Sequence, residues 1–141
     1  MTQETARQVS TGNRVALLVA GDLLGLMIFA AIGRASHHQA TGLDTITQIA
    51  FTAAPFLAGW LFAAPWVGAF RSDLHDRPAA LAARTVLAWL LGCPIGLGLR
   101  ALLLQRSIPL SFAIVTFLTV LAILVVWRVL FAIAIRRRMP A

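Results

Sequence analysis

Val15-Ala-Leu-Leu-Val-Ala-Gly-Asp-Leu-Leu-Gly-Leu-Met-Ile-Phe-Ala-Ala-Ile-Gly33 is apolar throughout except for one carboxylate, Asp22, near its middle. An α-helix of this length crosses a hydrocarbon core of about 30 Å. An aspartate side chain is too short to reach the headgroups from mid-span, so Asp22 must be neutral, paired or in contact with water inside a bundle. The segment therefore predicts a transmembrane helix that carries an ionisable group.

Three further apolar segments follow, and 60% of the 141 residues are hydrophobic. A soluble domain of this size would break such segments into amphipathic stripes, so the composition excludes that class. Because the connections are short, we expect an all-α integral membrane protein, an up-down four-helix bundle. The expected organisation is a tail at 1–14, a transmembrane domain at 15–135 with spans at about 15–33, 46–70, 82–104 and 108–135, and a basic tail at 136–141.

The distribution of arginine predicts the orientation of this bundle. With four spans, both tails and the 71–84 loop share one side, which holds eight arginines, whereas the opposite side holds three. Cytoplasmic segments carry the excess of basic residues, so both termini are expected in the cytoplasm. All twelve cations are arginine and none is lysine, which is typical of GC-rich prokaryotic genomes. The expected location is the inner membrane of a prokaryotic cell, with several spans.

A buried partner for Asp22 must come from another helix, and Arg128 on the fourth span lies at a matching depth. Either charge alone in lipid would be costly, so an Asp22–Arg128 contact is one prediction. The alternative is that Trp127 and Arg128 mark the membrane interface, with the arginine side chain reaching out to water. The sequence leaves these two readings equal.

Arg100 is expected close to the outer surface of the membrane, opposite the arginine-rich side, where Arg34, Ser36 and His37 are also expected. These residues form a hypothetical contact for an anion or a lipid headgroup. The alternative for Arg100 is a side chain that reaches the interface without any specific partner. His37 and His38 are adjacent with one nearby carboxylate, Asp44, so no metal site is expected, and no cofactor is implied.

Small residues and prolines mark the expected contacts between helices. Short side chains let two backbones approach closely where no hydrophobic force drives association within lipid. Proline inside a span kinks the helix or frees a carbonyl group. The residues predicted to take part in helix packing are Gly21, Gly25, Gly92, Gly96, Pro55 and Pro94, together with a row of small residues at Ala50, Ala54 and Ala58.

Five stretches between Asp22 and Arg128 form a recognisable set: Phe29-Ala-Ala-Ile-Gly-Arg-Ala-Ser-His37, Thr52-Ala-Ala-Pro-Phe-Leu-Ala-Gly-Trp60, Ala88-Trp-Leu-Leu-Gly92, Pro94-Ile-Gly-Leu-Gly-Leu-Arg100 and Trp127-Arg128. They resemble the signatures of a prokaryotic membrane family of unknown function, DUF3054. The resemblance implies a four-helix membrane protein, and it brings no activity, substrate or cofactor. It draws attention to Asp22, Arg34, His37, Pro55, Trp60, Arg100 and Arg128.

Two functions remain open on these grounds. The first is a structural or accessory bundle in which a buried Asp–Arg contact fixes the helices, with membrane lipids as partners and a partner protein or self-association as further options. The second is a small proton- or cation-coupled transporter that uses Asp22. No nucleophile–base set or paired membrane carboxylates point to an enzyme. The arginines are dispersed and accompany no nucleic-acid-binding motif, so that partner is not expected.

Overall fold

The computed structural model of this chain describes residues 3–35 and 43–137, with side chains described at 11–34 and 45–137. Within these ranges the elements are α1 (Gln3–Ala35), α2 (Leu43–Trp66), a 3₁₀ helix (Ser72–Leu74), α3 (Pro78–Leu104) and α4 (Leu110–Arg137). Each α-helix contains a segment long and apolar enough to cross a membrane. The predicted all-α bundle of four membrane-spanning helices is therefore confirmed. Three helices begin earlier than the predicted spans: α1 at Gln3, α2 at Leu43 and α3 at Pro78, whose fixed φ suits the first helical position.

The four helices pack in a ring that follows the order of the chain. Helix α1 contacts α2 and α4, and α3 contacts the same two helices. Helices α1 and α3 therefore occupy opposite corners of the bundle, as do α2 and α4. The start of α1, the end of α4 and the α2–α3 connection lie at one end, called the termini end, and the α3–α4 turn lies at the other, called the far end.

Glycines bring the α2 and α3 backbones together. A methyl group added at Gly59 would collide with the carbonyl oxygen of Gly92, and one added at Gly92 would lie 3.0 Å from the carbonyl oxygen of Gly59. A methyl group at Gly96 would lie 3.0 Å from the Cα atom of Phe56. Small residues let two transmembrane helices pack with their backbones in close contact, which is the role that these glycines have.

The predicted small-residue row on α2 is not at this contact. Ala50, Ala54 and Ala58 are all exposed on the outside of the bundle, and the adjacent Gly59 is buried. Each residue turns an α-helix by about 100°, so neighbouring positions face different surroundings. That part of the packing prediction is wrong, because the contact face of α2 lies one residue further along the chain.

The contact between α1 and α4 also uses small residues. Gly21 lies against the indole ring of Trp127, with no space for a methyl group between them. A methyl group at Gly25 would lie 2.9 Å from the Cγ2 atom of Ile123. The indole Nε1 of Trp127 donates a long hydrogen bond, 3.5 Å, to the carbonyl oxygen of Leu18. These contacts align the first and last helices side by side.

The α2–α3 connection folds back into the termini end of the bundle. Helix α2 stops in a Schellman motif, in which the Gly68 N–H donates to Pro65 O at 2.9 Å and the Ala69 N–H donates to Ala64 O at 2.8 Å. Gly68 has φ +68°, the left-handed conformation that this motif requires. The predicted second span extended to residue 70, whereas the helix ends at Trp66 and Ala69 is completely buried.

Candidate functional site

The centre of the bundle holds an ion pair between Asp22 of α1 and Arg128 of α4. The Arg128 Nη2 atom lies 2.6 Å from Asp22 Oδ2, and Arg128 Nε donates to Asp22 Oδ1 at 3.0 Å. Both side chains are 0% exposed. This two-pronged geometry matches the planar fork of a guanidinium to the two oxygens of a carboxylate. The interpretation of Arg128 as a residue that reaches the interface is therefore wrong.

The third nitrogen of Arg128 anchors the α2–α3 connection. Its Nη1 atom donates a hydrogen bond of 2.8 Å to the carbonyl oxygen of Ala69. Ala69 is the residue that follows Gly68 in the Schellman motif, so the turn that ends α2 also presents this carbonyl to the bundle interior. The arginine thereby connects α1, α4 and the connection through one rigid group.

Aromatic rings enclose the guanidinium. Its Cζ atom lies 4.8 Å from the ring centroid of Trp60 and 4.9 Å from that of Phe70. The two rings meet edge to face, at 83° and 6.5 Å. Cations are attracted to the faces of aromatic rings, and the attraction is stronger where water is excluded. The rings thus stabilise the same charge that Asp22 balances.

Trp60 also binds the carboxylate directly. Its indole Nε1 donates a hydrogen bond of 3.2 Å to Asp22 Oδ2, the oxygen that also receives Arg128 Nη2. The Trp60 side chain is completely buried and packs against Trp89 of α3. Residues from α1, α2 and α4 therefore meet at one oxygen atom, with α3 supporting the ring from behind.

A buried histidine lies beneath this network at the termini end. His75 is 2% exposed and packs edge to face against Phe131, at a centroid distance of 5.7 Å. Its Nε2 atom is buried without a hydrogen-bond partner among the described residues. Burial lowers the pKa of His75, and the positive charges of Arg14 and Arg128 lower it further. The neutral imidazole is therefore the form that this site favours.

An exposed ion pair sits in the same connection. Arg71 Nε donates to Asp73 Oδ1 at 3.0 Å, and Arg71 Nη2 donates to Asp73 Oδ2 at 3.2 Å. More than half of each side chain is accessible to solvent. The hydrogen bonds from Arg71 lower the pKa of Asp73. This pair has the same chemistry as the buried one and is therefore its natural control.

The remaining predicted site residues are spread over the far end. The half-buried guanidinium of Arg100 stacks on Phe112 at 5.0 Å, and Arg34 lies at the end of α1. Because α1 and α3 are at opposite corners, Arg34 and Arg100 do not lie on adjacent helices. Ser36 and His37 fall outside the described residues. Within the described part of the chain no three metal-ligating side chains cluster.

The predicted packing residues differ in their surroundings. Pro55 is buried at the α2–α3 contact, where its carbonyl oxygen would lie 3.2 Å from a methyl group at Gly96. Pro94 is exposed on α3. Ala69 and Phe70 were not among the predicted site residues, because the hydropathy pattern places both in the second transmembrane helix. The signal that could have revealed them is Gly68, a glycine shortly after Pro65 that indicates a helix end.

Comparison with known proteins identifies a family. The family model described as "Protein of unknown function (DUF3054)" matches residues 19–131, which include the whole network from Asp22 to Arg128. No curated protein and no solved structure matches the chain.

Proposed function

We propose that this chain, which belongs to the DUF3054 family, is a structural or accessory protein of the prokaryotic cell membrane and not an enzyme. In this role the four helices form a rigid bundle whose outer surface binds lipids or another membrane protein. The proposed location is the inner membrane, with both termini in the cytoplasm, because the sequence carries eight arginines in residues 1–14, 71–84 and 136–141 and three on the opposite side, at Arg34, Arg100 and Arg106.

The observation that carries the proposal is the enclosure of the Asp22–Arg128 pair. Both side chains are 0% exposed, the three nitrogens of Arg128 all donate hydrogen bonds, and Trp60 completes the coordination of the carboxylate. A buried pair with its polar atoms satisfied specifies one arrangement of helices, because any rotation of α1 or α4 leaves a charge unpaired. Such a network suits a scaffold.

The alternative is a small transporter that uses Asp22 to bind a proton or a cation. One observation favours it: Asp22 is the single acidic residue within the four described spans, and its counter-charge there is an arginine that an incoming cation could displace. Transport would require Asp22 to become accessible to water in turn from each side of the membrane. In the structure the Asp22 side chain is completely buried and is not accessible from either side.

Single and double substitutions separate the two roles. In a scaffold, Asp22→Asn and Arg128→Gln each strand a buried partner, at a cost of about 3–5 kcal/mol. The double variant should recover much of this loss, because it removes both charges together. The measurement is the free energy of unfolding of each variant in detergent solution. Losses that simply add in the double variant would contradict the scaffold role.

The exposed pair provides the matched control. Arg71→Gln with Asp73→Asn removes the same two charges from a solvated position, where ion pairs contribute little. We expect no measurable change in its unfolding. The transporter predicts the opposite pattern for the buried site: Asp22→Asn would unfold like the wild type and lose only proton or cation flux in proteoliposomes.

A further inference from the structure

The far end of the bundle carries positive charge without a described counter-charge. Arg100 lies one turn before the end of α3 and stacks on Phe112 in the first turn of α4. Arg106 is exposed in the α3–α4 turn and is close enough for its charge to act on Arg100. Among the described residues the ion pairs are Asp22–Arg128 and Arg71–Asp73, and neither involves these two arginines.

The stacking on Phe112 leaves the hydrogen-bonding edge of Arg100 available. A ring face attracts the flat side of a guanidinium, whereas the N–H groups lie in its plane. No hydrogen bond from Arg100 to another described residue is formed, in contrast to Arg128, all of whose nitrogens have acceptors. Arg100 is thus held in place by an aromatic ring while its donors remain unused.

Arg34 adds a third charge at this end. Its Nε atom is buried and has no hydrogen-bond partner among the described residues. The α1–α4 contact sets Gly25 beside Ile123, and extending this antiparallel alignment by nine residues brings Arg34 level with Ile114. That level is about 3 Å along the bundle axis from Phe112. Arg34 and Arg100 therefore share one depth on different corners of the bundle.

We infer that Arg100 and Arg106 bind the phosphate group of a membrane phospholipid, with Phe112 holding Arg100 in position. A guanidinium offers two parallel N–H donors that match two oxygens of a phosphate, so an arginine pair suits this group better than a single point charge would. The inference concerns a ligand site, and it is independent of the role of Asp22.

The surroundings favour a lipid as the source of the phosphate. Arg100 lies four residues before Leu104, the last residue of α3, or about 6 Å along the axis, which is near the level of the headgroups. Leu102 and Leu103, which follow Arg100 on the same helix, are 67% and 60% exposed. Exposed apolar side chains beside a cation provide a surface for the acyl chains of the lipid whose phosphate the cation binds.

Titration with phosphatidylglycerol, followed by native mass spectrometry of the full chain, tests this site. Two variants remove equal charge from opposite ends: Arg100→Gln with Arg106→Gln, and the control Arg136→Gln with Arg137→Gln. The far-end variant loses two guanidinium groups that would bind the phosphate directly, so we expect it to bind phosphatidylglycerol roughly thirty-fold more weakly. We expect the control to retain most of its affinity for the lipid. Equal affinity in the two variants would overturn the proposal.

Two further experiments test the guanidinium geometry and the source of the phosphate. Arg100→Lys with Arg106→Lys preserves the charge and lacks the fork, so it should fold and bind more weakly than the wild type; unchanged affinity would contradict recognition of phosphate by the fork. Inorganic phosphate in large excess should leave bound phosphatidylglycerol in place. Complete displacement would show that the site takes a free anion and would overturn the lipid assignment.

Discussion

The indole Nε1 of Trp60 donates its hydrogen bond to the same oxygen of Asp22 that Arg128 reaches through Nη2. One carboxylate oxygen thereby joins the second helix to the first and the fourth. A tryptophan in the middle of a membrane span usually contributes apolar surface, but its N–H needs an acceptor when buried. Here the acceptor is charged, so the hydrogen bond contributes more than a neutral one would.

The first prediction removes this donor and leaves a smaller aromatic ring in its place. Trp60→Phe should lower the free energy of unfolding by about 1.5–3 kcal/mol, the range for hydrogen bonds to charged groups. Chemical unfolding of the solubilised protein measures the loss. Trp89→Phe is the control, because Trp89 is also completely buried and its indole donates to a neutral acceptor, the carbonyl oxygen of Phe117, at 3.0 Å. An equal loss at both positions would show that the charged acceptor adds nothing to the effect of the smaller ring.

The second prediction concerns the contact between α2 and α3. Gly59→Ala places a methyl group against the backbone carbonyl of Gly92, which cannot move without moving the helix. We expect a loss of about 1–3 kcal/mol, typical of overpacking. Gly98→Ala is the matched control on α3, because open space surrounds that position and alanine is the better helix former. A stable Gly59→Ala variant would contradict the backbone contact.

The third prediction concerns the ends of α2 and α3. Helix α3 also ends in a Schellman motif, in which the Arg106 N–H donates to Ala101 O at 3.3 Å, and substitutions in the two turns should have opposite signs. Gly68 and Gln105 both adopt the left-handed conformation, with φ values of +68° and +50°. A residue with a Cβ atom pays about 1–2 kcal/mol there, so Gly68→Ala should destabilise the protein and Gln105→Gly should stabilise it. Thermal unfolding of the two single variants tests the signs. Destabilisation by Gln105→Gly would indicate that its hydrogen bond to Leu102 O, at 2.7 Å, outweighs the backbone cost.

The fourth prediction is acid sensitivity through His75. Its pKa is lowered in the folded protein by burial and by Arg14 and Arg128, while Asp73 and Asp76 in the same connection act in the opposite direction. The unfolded chain therefore takes up the proton first, near the ordinary pKa of about 6.5. Stability that is present above that pH is lost as the pH falls through the folded-state pKa.

The control for this effect is His75→Phe, which preserves an aromatic ring against Phe131 and cannot titrate. We expect the wild type to lose stability as the pH falls below the ordinary histidine pKa of about 6.5, and the variant to lose much less. His37 and His38 are present in both proteins, so the difference isolates His75. Asp73 does not interfere, because its pKa is lowered and it titrates at more acidic pH. Equal losses in both proteins would exclude His75 as the sensor.

Depth along a helix could be calculated from the sequence, and rotation about the helix axis could not. The number of residues to each helix end placed Asp22 and Arg128 at one level, which made their contact a testable prediction. Whether Arg128 faced the bundle or the interface depended on how α4 is rotated. The same gap explains why Ala58 was predicted at a helix contact that the structure assigns to Gly59. Tertiary packing fixes rotation, and small residues on several faces leave it undetermined.

Contacts made by backbone carbonyl groups could not be predicted from the sequence either. Ala69 accepts a hydrogen bond from Arg128 only because α2 ends at Trp66 and the chain turns back at Gly68. Apolar residues continue to Phe70, so hydropathy alone extends the span by four residues. In a helix continued to residue 70, the carbonyl of Ala69 would instead point along the helix axis. The contact therefore follows from where the helix ends, and composition does not reveal that position.

The ion pair has a consequence for the order of events during synthesis, since its partners are 106 residues apart and belong to the first and last helices. At about 5–20 residues per second, a ribosome needs roughly 5–20 s to add the intervening chain. Throughout that interval α1 lacks the guanidinium that balances Asp22, at an insertion cost of about 2.5–3.5 kcal/mol for an aspartate at a helix centre. The nascent protein must therefore hold an unmatched charge at the insertion machinery until its final span arrives, and a chain that stops after α3 never acquires the match.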